Sequence, residues 1–461
     1  MRSFLKTIHA IFIFSSCLAF AQAPTLSADL RSKIDDIVQQ SLHATGAPSA
    51  SIAIVTDGKI SYLQAYGNAR LEPVTPARPD MRYSIGSISK QFTATAMLLL
   101  AEQGKLSLDD PVSRFLPNLT RANEVTIRQI LSHTSGYQDY WPQDYVPPFM
   151  LQPITADKIL DQWGRKSLDF NPGTDWQYSN TGFVIAGEIV EKASGTPLLE
   201  FLSKNIFTPL NMQSVIDINH STADPTGYMR YGLGPLHPAP KEGTNWLFAA
   251  GELAMPAQDL AKWDISIMNQ SILKPASYKE MERNTLLKNG LASDYGLGVF
   301  VHWWGDHHMI EHDGEVSGFT AENIVFPDDR FAVVVQVNQD AINVGSDIAR
   351  KIVPLLLPHE DTSNEEQKAR RIFAQLQQGK IDRSLFSENA NSYFTQQALQ
   401  DFASSLGPLG APIDFAQTSR QERGGMAFRA FRVSVGGKTV EVWQRTLPDG
   451  RIEQYQVMYR D

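Results

Sequence analysis

The chain has a single cysteine, Cys17, in 461 residues. A disulfide framework is therefore excluded, and stability must come from an ordinary core. Positive charge is also scarce: 41 Lys and Arg stand against 50 Asp and Glu, a net charge of −9. That balance argues against nucleic acid or an anionic membrane surface as a partner. Beyond the N-terminus no stretch reaches the ~18 consecutive apolar residues of a membrane span. The sequence contains no internal repeat, no low-complexity tract and no His-Glu-x-x-His metal motif. What is present is globular: 42% hydrophobic, 20% charged and 10% aromatic residues, ample for a sizeable core.

The first residues have the form of a secretory signal. Arg2 and Lys6 give a basic start, Ile8 to Phe14 an apolar run, and Ala19-Phe20-Ala21 a small-x-small cleavage site. The expectation is a signal peptide over 1–21 and a secreted or periplasmic mature chain without cysteine. Phe14-Ser15-Ser16-Cys17 lacks the leading Leu of a lipid-attachment site, which argues against an anchor at Cys17.

Length predicts one large domain and something smaller. Leu30, Ile34, Ile37, Val38 and Leu42 share a helical face over 26–45, and Gly46 stops it. Ala50–Val55 and Ile60–Tyr66 form a hairpin around Asp57-Gly58. A helix starts at Ser87 and closes at Gly104; another runs from Phe183 to Ala193. Strands are predicted over Gly296–Trp304, Met309–His312, Ala321–Phe326 and Phe331–Val337. Asp361 to Gln367 is polar and charged and is assigned as a linker. The division is thus 1–21 signal, 22–360 main domain, 361–367 linker and 368–461 a small α+β module. That module has helices over Lys368–Gln378 and near Gln396–Ser404, followed by three or four short strands.

Three short motifs carry the chemistry, in this order: Ser87-Ile88-Ser89-Lys90, Tyr178-Ser179-Asn180 and His312-Asp313-Gly314. They supply a nucleophile with an amine one helical turn away, a phenol–amide pair, and a glycine that lets backbone approach a reacting carbonyl. This is a kit for acyl transfer through a covalent serine intermediate. None is decisive alone, since Ser-x-x-Lys recurs at Ser3–Lys6 and Ser271–Lys274, and Tyr-x-Asn at Tyr66–Asn68. Ser87 at a helix start also serves as an ordinary cap. Unpaired N–H groups there can equally hold an oxyanion.

Order and flanking residues decide the matter. Gly86 to Lys90, Leu131 to Gly136, Asn171-Pro172-Gly173 with Trp176 and Tyr178-Ser179-Asn180, Ala257 to Trp263, and His312-Asp313-Gly314 with Gly318-Phe319 together resemble the serine β-lactamase and penicillin-binding-protein superfamily. The likeness is to its class C-like branch of esterases, D-aminopeptidases and DD-peptidases, and spans residues 30–357. It implies an α+β fold, an antiparallel sheet flanked by helices plus a helical region, with the small C-terminal α+β domain appended. It implies Ser87 as nucleophile, Lys90 and Tyr178 in the proton path, and Asn180 orienting Lys90 and the substrate. It leaves open which group takes the serine proton. The backbone N–H groups of Ser87 and Glu315 would form the oxyanion hole, and Gly314 would let that strand pass close to substrate. His312 stands where lactamases place lysine. With an ordinary pKa of about 6.5, it is a poor fixed charge for a substrate carboxylate.

Other readings were weighed. His302, Asp306, His307, His308, Glu311 and His312 could hold a metal, although on a strand His308 and His312 would lie about 13 Å apart. No metal and no cofactor is expected. Tyr137 and Trp141, with Tyr140, Trp303 and Trp304, could line a substrate cleft or simply pack. The expected partner is a small-molecule or short-peptide substrate, with oligomeric state open. Function narrows to a serine hydrolase cleaving an ester or amide. The alternative is a non-hydrolytic penicillin-recognising or peptide-sensing protein on the same scaffold. The C-terminal module is weakly similar to cone-shaped domains of the nuclear-transport-factor-2-like kind.

Overall fold

In the computed structural model, which describes residues 26–143, 145–304, 307–357 and 362–459, a seven-stranded antiparallel sheet forms the spine. The expected signal peptide, Asp306 and Asp361 lie outside the described residues. Helix α1 (Ala28–Thr45) starts at Ser27, whose Oγ accepts from Leu30 N, and ends at Gly46 with φ 73°. Strands β1 (Ser49–Thr56) and β2 (Lys59–Leu71) follow, joined at Asp57 and Gly58, both at positive φ as a tight hairpin requires. A short β3 (Val74–Pro76) and four later strands complete the sheet: β4 (Phe300–Trp304), β5 (His307–Val316), β6 (Phe319–Phe326) and β7 (Phe331–Val337). Their spatial order is β3-β2-β1-β7-β6-β5-β4.

The apolar runs of β1 and β7 are explained by burial on both faces. Side chains alternate across a strand. Ala53, Val55, Ala332 and Val334 face the helical region, while Ile52, Ile54, Val333 and Val335 face α1 and helix α5 (Val344–Leu356). Each fully buried Val or Ile contributes roughly 1.5–3 kcal/mol. The helical layer contains α2 (Ser89–Glu102), α3 (Asn180–Ser194) and α4 (Ala257–Asn269). Helix α2 is surrounded, with every residue from Ser89 to Leu98 buried. Trp263 of α4 packs on Phe92 at 4.9 Å between ring centroids.

Two expectations are corrected. The strand predicted from Gly296 begins only at Phe300, because the chain must first turn at Gly298 (φ +77°). A Cβ on Gly298 would sit 2.9 Å from Lys90 O. The charged stretch assigned as a linker to 367 is helical from Thr362: helix α6 runs over Thr362–Gln377 and buries Ala369, Ile372, Phe373 and Leu376. Polar composition hid the amphipathic face. Helices α7 (Glu388–Tyr393) and α8 (Gln396–Leu406) and a separate four-stranded sheet complete the small C-terminal domain. Those strands are β8 (Asp414–Arg423), β9 (Met426–Val435), β10 (Lys438–Thr446) and β11 (Ile452–Tyr459). Its strand β8 lies against the edge strand β4, with Arg420 5.6 Å from the centre of the Trp303 ring.

Candidate active site

Ser87 lies in a single 3₁₀ turn, Gly86–Ile88, that leads into α2. The turn is held by its neighbours. Tyr83 and Ser84 pair with Met255 and Ala254, Ile85 N–H donates to Leu253 O (3.0 Å), and Leu253 N–H donates to Ser89 Oγ (3.2 Å). This ties the Ser87 turn to the segment carrying Ala250. Lys90, fully buried, has Nζ 2.9 Å from Ser87 Oγ, 2.8 Å from Asn180 Oδ1 and 2.8 Å from Ala250 O. Burial lowers its pKa to about 7, against the opposing pull of Asp139 and Asp313. A neutral amine has two N–H donors and one lone pair. Asn180 Oδ1 and Ala250 O can only accept, so they take the two N–H groups and leave the lone pair facing Ser87.

The second motif is shaped by its helix start. Helix α3 begins at Asn180, three residues before the predicted start, because Ser179 caps it by accepting from Gly182 N–H. Tyr178 thereby projects from just outside the helix into the cavity wall it shares with Ser87, its own ionisation pushed far up by burial. Lys90 Nζ is 4.9 Å from the centre of its ring. The Leu131–Gly136 stretch, whose use the sequence left unstated, clamps this loop. His133 O accepts Gln177 N–H (3.0 Å), Thr134 O accepts Gly173 N–H (2.7 Å), and His133 Nδ1 accepts Ser179 N–H (3.1 Å). The His133 ring packs on Tyr178 at 4.3 Å, and burial holds it neutral.

Strand β5 brings the third motif to the Ser87 turn. A Cβ on Gly314 would lie 2.0 Å from Ile85 O and 3.2 Å from Ser87 N, and one on Gly86 would lie 2.7 Å from Glu315 N. Only glycine fits at either position, so the Glu315 backbone is pressed against the Ser87 turn. His312 points inward, nearly inaccessible. Its Nε2 is 2.9 Å from Tyr295 Oη and its Nδ1 2.6 Å from Asp313 O, and burial drives its pKa down to about 4. The ring is therefore neutral and lies behind Tyr178, at 6.3 Å, rather than on the open surface of the cleft.

Above Ser87 is a cavity of about 510 Å³, walled by Tyr178, Asn180, Trp141, Trp176, Phe300 and Asp313 among others. Trp141 is thus in the wall, but Tyr137 is not. Tyr137 is buried and its hydroxyl donates to Thr120 O (2.8 Å), so it is a packing residue. Trp303 and Trp304 are likewise outside this wall. The residues weighed as metal ligands are dispersed. His302 and Arg350 pair with Glu311, His307 pairs with Asp329, and no three converge as a ligand set among the described residues.

One residue was missed. Asp139 accepts Asn180 N–H (3.0 Å) and Trp141 N–H (3.1 Å) on Oδ1 and the Asn180 side-chain N–H (3.2 Å) on Oδ2. It fixes which end of the Asn180 amide faces Lys90. The length of the irregular loop from Tyr137 to Pro148 marked it as functional, but nothing local distinguished Asp139 from its neighbours.

A serine on a helix turn, a buried lysine against it and a glycine strand closing the pocket, set in this fold, are of the β-lactamase and penicillin-binding type. Residues 34–354 match the Beta-lactamase family, and the chain belongs to it. It is 27% identical over 354 residues to Protein flp of Staphylococcus aureus, covering 73% of this chain and 67% of that protein. Its fold is similar to the octameric penicillin-binding protein homologue from Pyrococcus abyssi, with a TM-score of 0.63, 22% identity and coverage of 94% and 96% of the two chains. It is also similar to the D-amino acid amidase from Ochrobactrum anthropi SV3, with a TM-score of 0.62, 25% identity and coverage of 73% and 100%.

Proposed function

We propose that the protein is a secreted hydrolase that cleaves an ester or amide through an acyl-enzyme on Ser87. The observation that carries this is the set of three contacts around Lys90. Neutral Lys90 takes the hydroxyl proton as Ser87 Oγ attacks the carbonyl, and the developing oxyanion sits between the N–H groups of Ser87 and Glu315. The Lys90 ammonium, 4.9 Å from the centre of the Tyr178 ring, returns that proton to the leaving group through the Tyr178 hydroxyl, which gives up its own proton as it takes the one from Lys90, so that both groups end neutral. Water then attacks the acyl-enzyme by the same path in reverse. Asn180 keeps Lys90 aimed, and Gly314 admits the substrate carbonyl to the strand edge.

A fluorophosphonate probe tests this directly. Labelling of the wild type that persists in EDTA and disappears in Ser87→Ala supports the serine; labelling or turnover surviving in Ser87→Ala refutes it. A panel of p-nitrophenyl esters, D-alanyl p-nitroanilide, a D-Ala-D-Ala peptide and a chromogenic cephalosporin sorts the substrates. Esters and D-aminoacyl amides should exceed the cephalosporin in kcat/KM. A cephalosporin value of about 10⁷ M⁻¹s⁻¹ or more would defeat that ordering. A non-hydrolytic sensor would be acylated without turning over any of them. Secretion is tested by the N-terminus of the exported chain, expected at Gln22.

A further inference from the structure

The charge of the catalytic cavity says more about the substrate, on the premise that Ser87 is the nucleophile. Its wall includes the carboxylates Asp139, Asp313, Glu315 and Asp340, and no Lys, Arg or His among the described lining residues. Three of the four carboxylates have structural partners. Asp139 holds Asn180, Glu315 Oε1 accepts Ala341 N–H (2.7 Å), and Asp340 Oδ2 accepts Gly318 N–H (2.8 Å). Asp313 differs. Its side chain is 71% exposed, and its one ion-pair contact within 4 Å among the described residues is the His312 ring, 3.9 Å away. That ring is neutral, and Lys90, which feels the Asp313 charge, makes no ion pair with it, so the carboxylate faces the cavity without a paired cation.

Asp313 also stands at a junction. A second cavity of about 460 Å³ shares Phe300, Asp313 and Glu315 with the first and adds Asp347 and Glu311 to the wall, the latter beside His302 (3.5 Å), while burial raises the pKa of Glu322 to about 8 and keeps it mostly neutral. Its one arginine, Arg350, is committed to Glu311 through bonds of 3.0 and 2.9 Å. A substrate carboxylate placed here would meet like charge on both sides. A cation would gain from Asp313 and from the ring faces of Trp141, Trp176 and Phe300 in the same wall. We infer that the substrate is an ester or amide carrying a protonated amine at the end of its acyl chain, and that Asp313 selects it.

Three p-nitrophenyl esters of matched length test this: 6-aminohexanoyl, heptanoyl and adipoyl, with cationic, neutral and anionic ends. At low ionic strength kcat/KM should fall in that order, with the cationic ester at least tenfold above the anionic one. Raising NaCl to 0.5 M should narrow the ratio, because exposed charges are screened over about 10 Å at 0.1 M salt. In Asp313→Asn the cation-to-anion ratio should fall at least fivefold. A ratio is read within each variant, so an overall change in activity does not confuse it. The inference is overturned if the wild type shows no preference, or if the preference persists undiminished in Asp313→Asn. Either failure leaves the hydrolase reading standing as long as heptanoyl ester turnover depends on Ser87. If no ester is turned over, the hydrolase reading fails and this inference falls with it.

Discussion

The substitution Asp139→Asn separates geometry from chemistry, because it changes one atom. Asp139 is acceptor-only, with Oδ1 taking two backbone N–H groups and Oδ2 taking the Asn180 side-chain N–H. In the variant, Oδ1 can still serve the two backbone donors, but an NH₂ now faces the Asn180 NH₂. Two donors cannot share that contact, and each hydrogen bond to the lost charge had contributed about 1.5–3 kcal/mol. Asn180 relieves the clash by rotating its terminal torsion, which is broad and roughly two-fold. Its NH₂ then points at Lys90, 2.8 Å away, where an acceptor stood. The Lys90 lone pair turns to that donor instead of the Ser87 hydroxyl. The expected loss in kcat/KM on a p-nitrophenyl ester is at least a hundredfold, about 2.7 kcal/mol of barrier, with labelling by fluorophosphonate slowed in parallel. The double variant Asp139→Asn/Asn180→Asp returns an acceptor to Lys90 and should recover at least tenfold of the loss. Its acid limb should move to higher pH, since a carboxylate favours the ammonium. Activity of Asp139→Asn within threefold of wild type would refute the proton path drawn through Asn180.

Other outcomes follow from the same geometry. Because the base must be neutral and burial sets Lys90 near 7, kcat/KM should rise with pH through about 7. Lys90→Ala and Tyr178→Phe should each cost at least a hundredfold, and a Lys90→Ala variant with the same rate and the same limb would contradict this. Gly314→Ala forces a Cβ to 2.0 Å from Ile85 O, so the strand must retreat from Ser87. Labelling should fall at least tenfold and stability by about 1–3 kcal/mol, read as a lower Tm. Truncation after Pro358 removes no described residue of the cavity wall, so the fragment should retain Ser87 labelling. It uncovers the edge strand β4, so it should aggregate more readily on heating. Loss of labelling in a folded fragment would show that the C-terminal domain completes the site.

What the sequence determined by itself is the set of candidate residues for the site and the local elements that carry them. Ser87, Lys90, Tyr178, Asn180 and Gly314 were legible as candidates because three short motifs fall in one order with matching flanks, and the structure brings Lys90 to Ser87 and Asn180 and presses the Gly314 strand against the Ser87 turn. The helix over 26–45, the Asp57-Gly58 hairpin and the strand Phe331–Val337 were legible because periodicity and turn chemistry act over neighbouring residues. The start of α3 at Asn180 and the helical character of 362–367 were not, since a serine cap and a polar amphipathic face look like loop from composition alone. Tertiary structure decided everything that depends on approach between distant segments. Burial between α2, α3 and the sheet sets Lys90 near 7 and drives His312 down to about 4. No propensity encodes a desolvation made by residues 90 positions away. The pairing of Asp139 with Asn180 arises from a loop folding onto a helix 41 residues later. Tyr137 and Trp141, indistinguishable as aromatics in one loop, were sorted by packing into core and cavity wall. Motif and order thus single out Ser87 as the candidate nucleophile, and the fold supplies the dielectric, the aim and the charge that surround it.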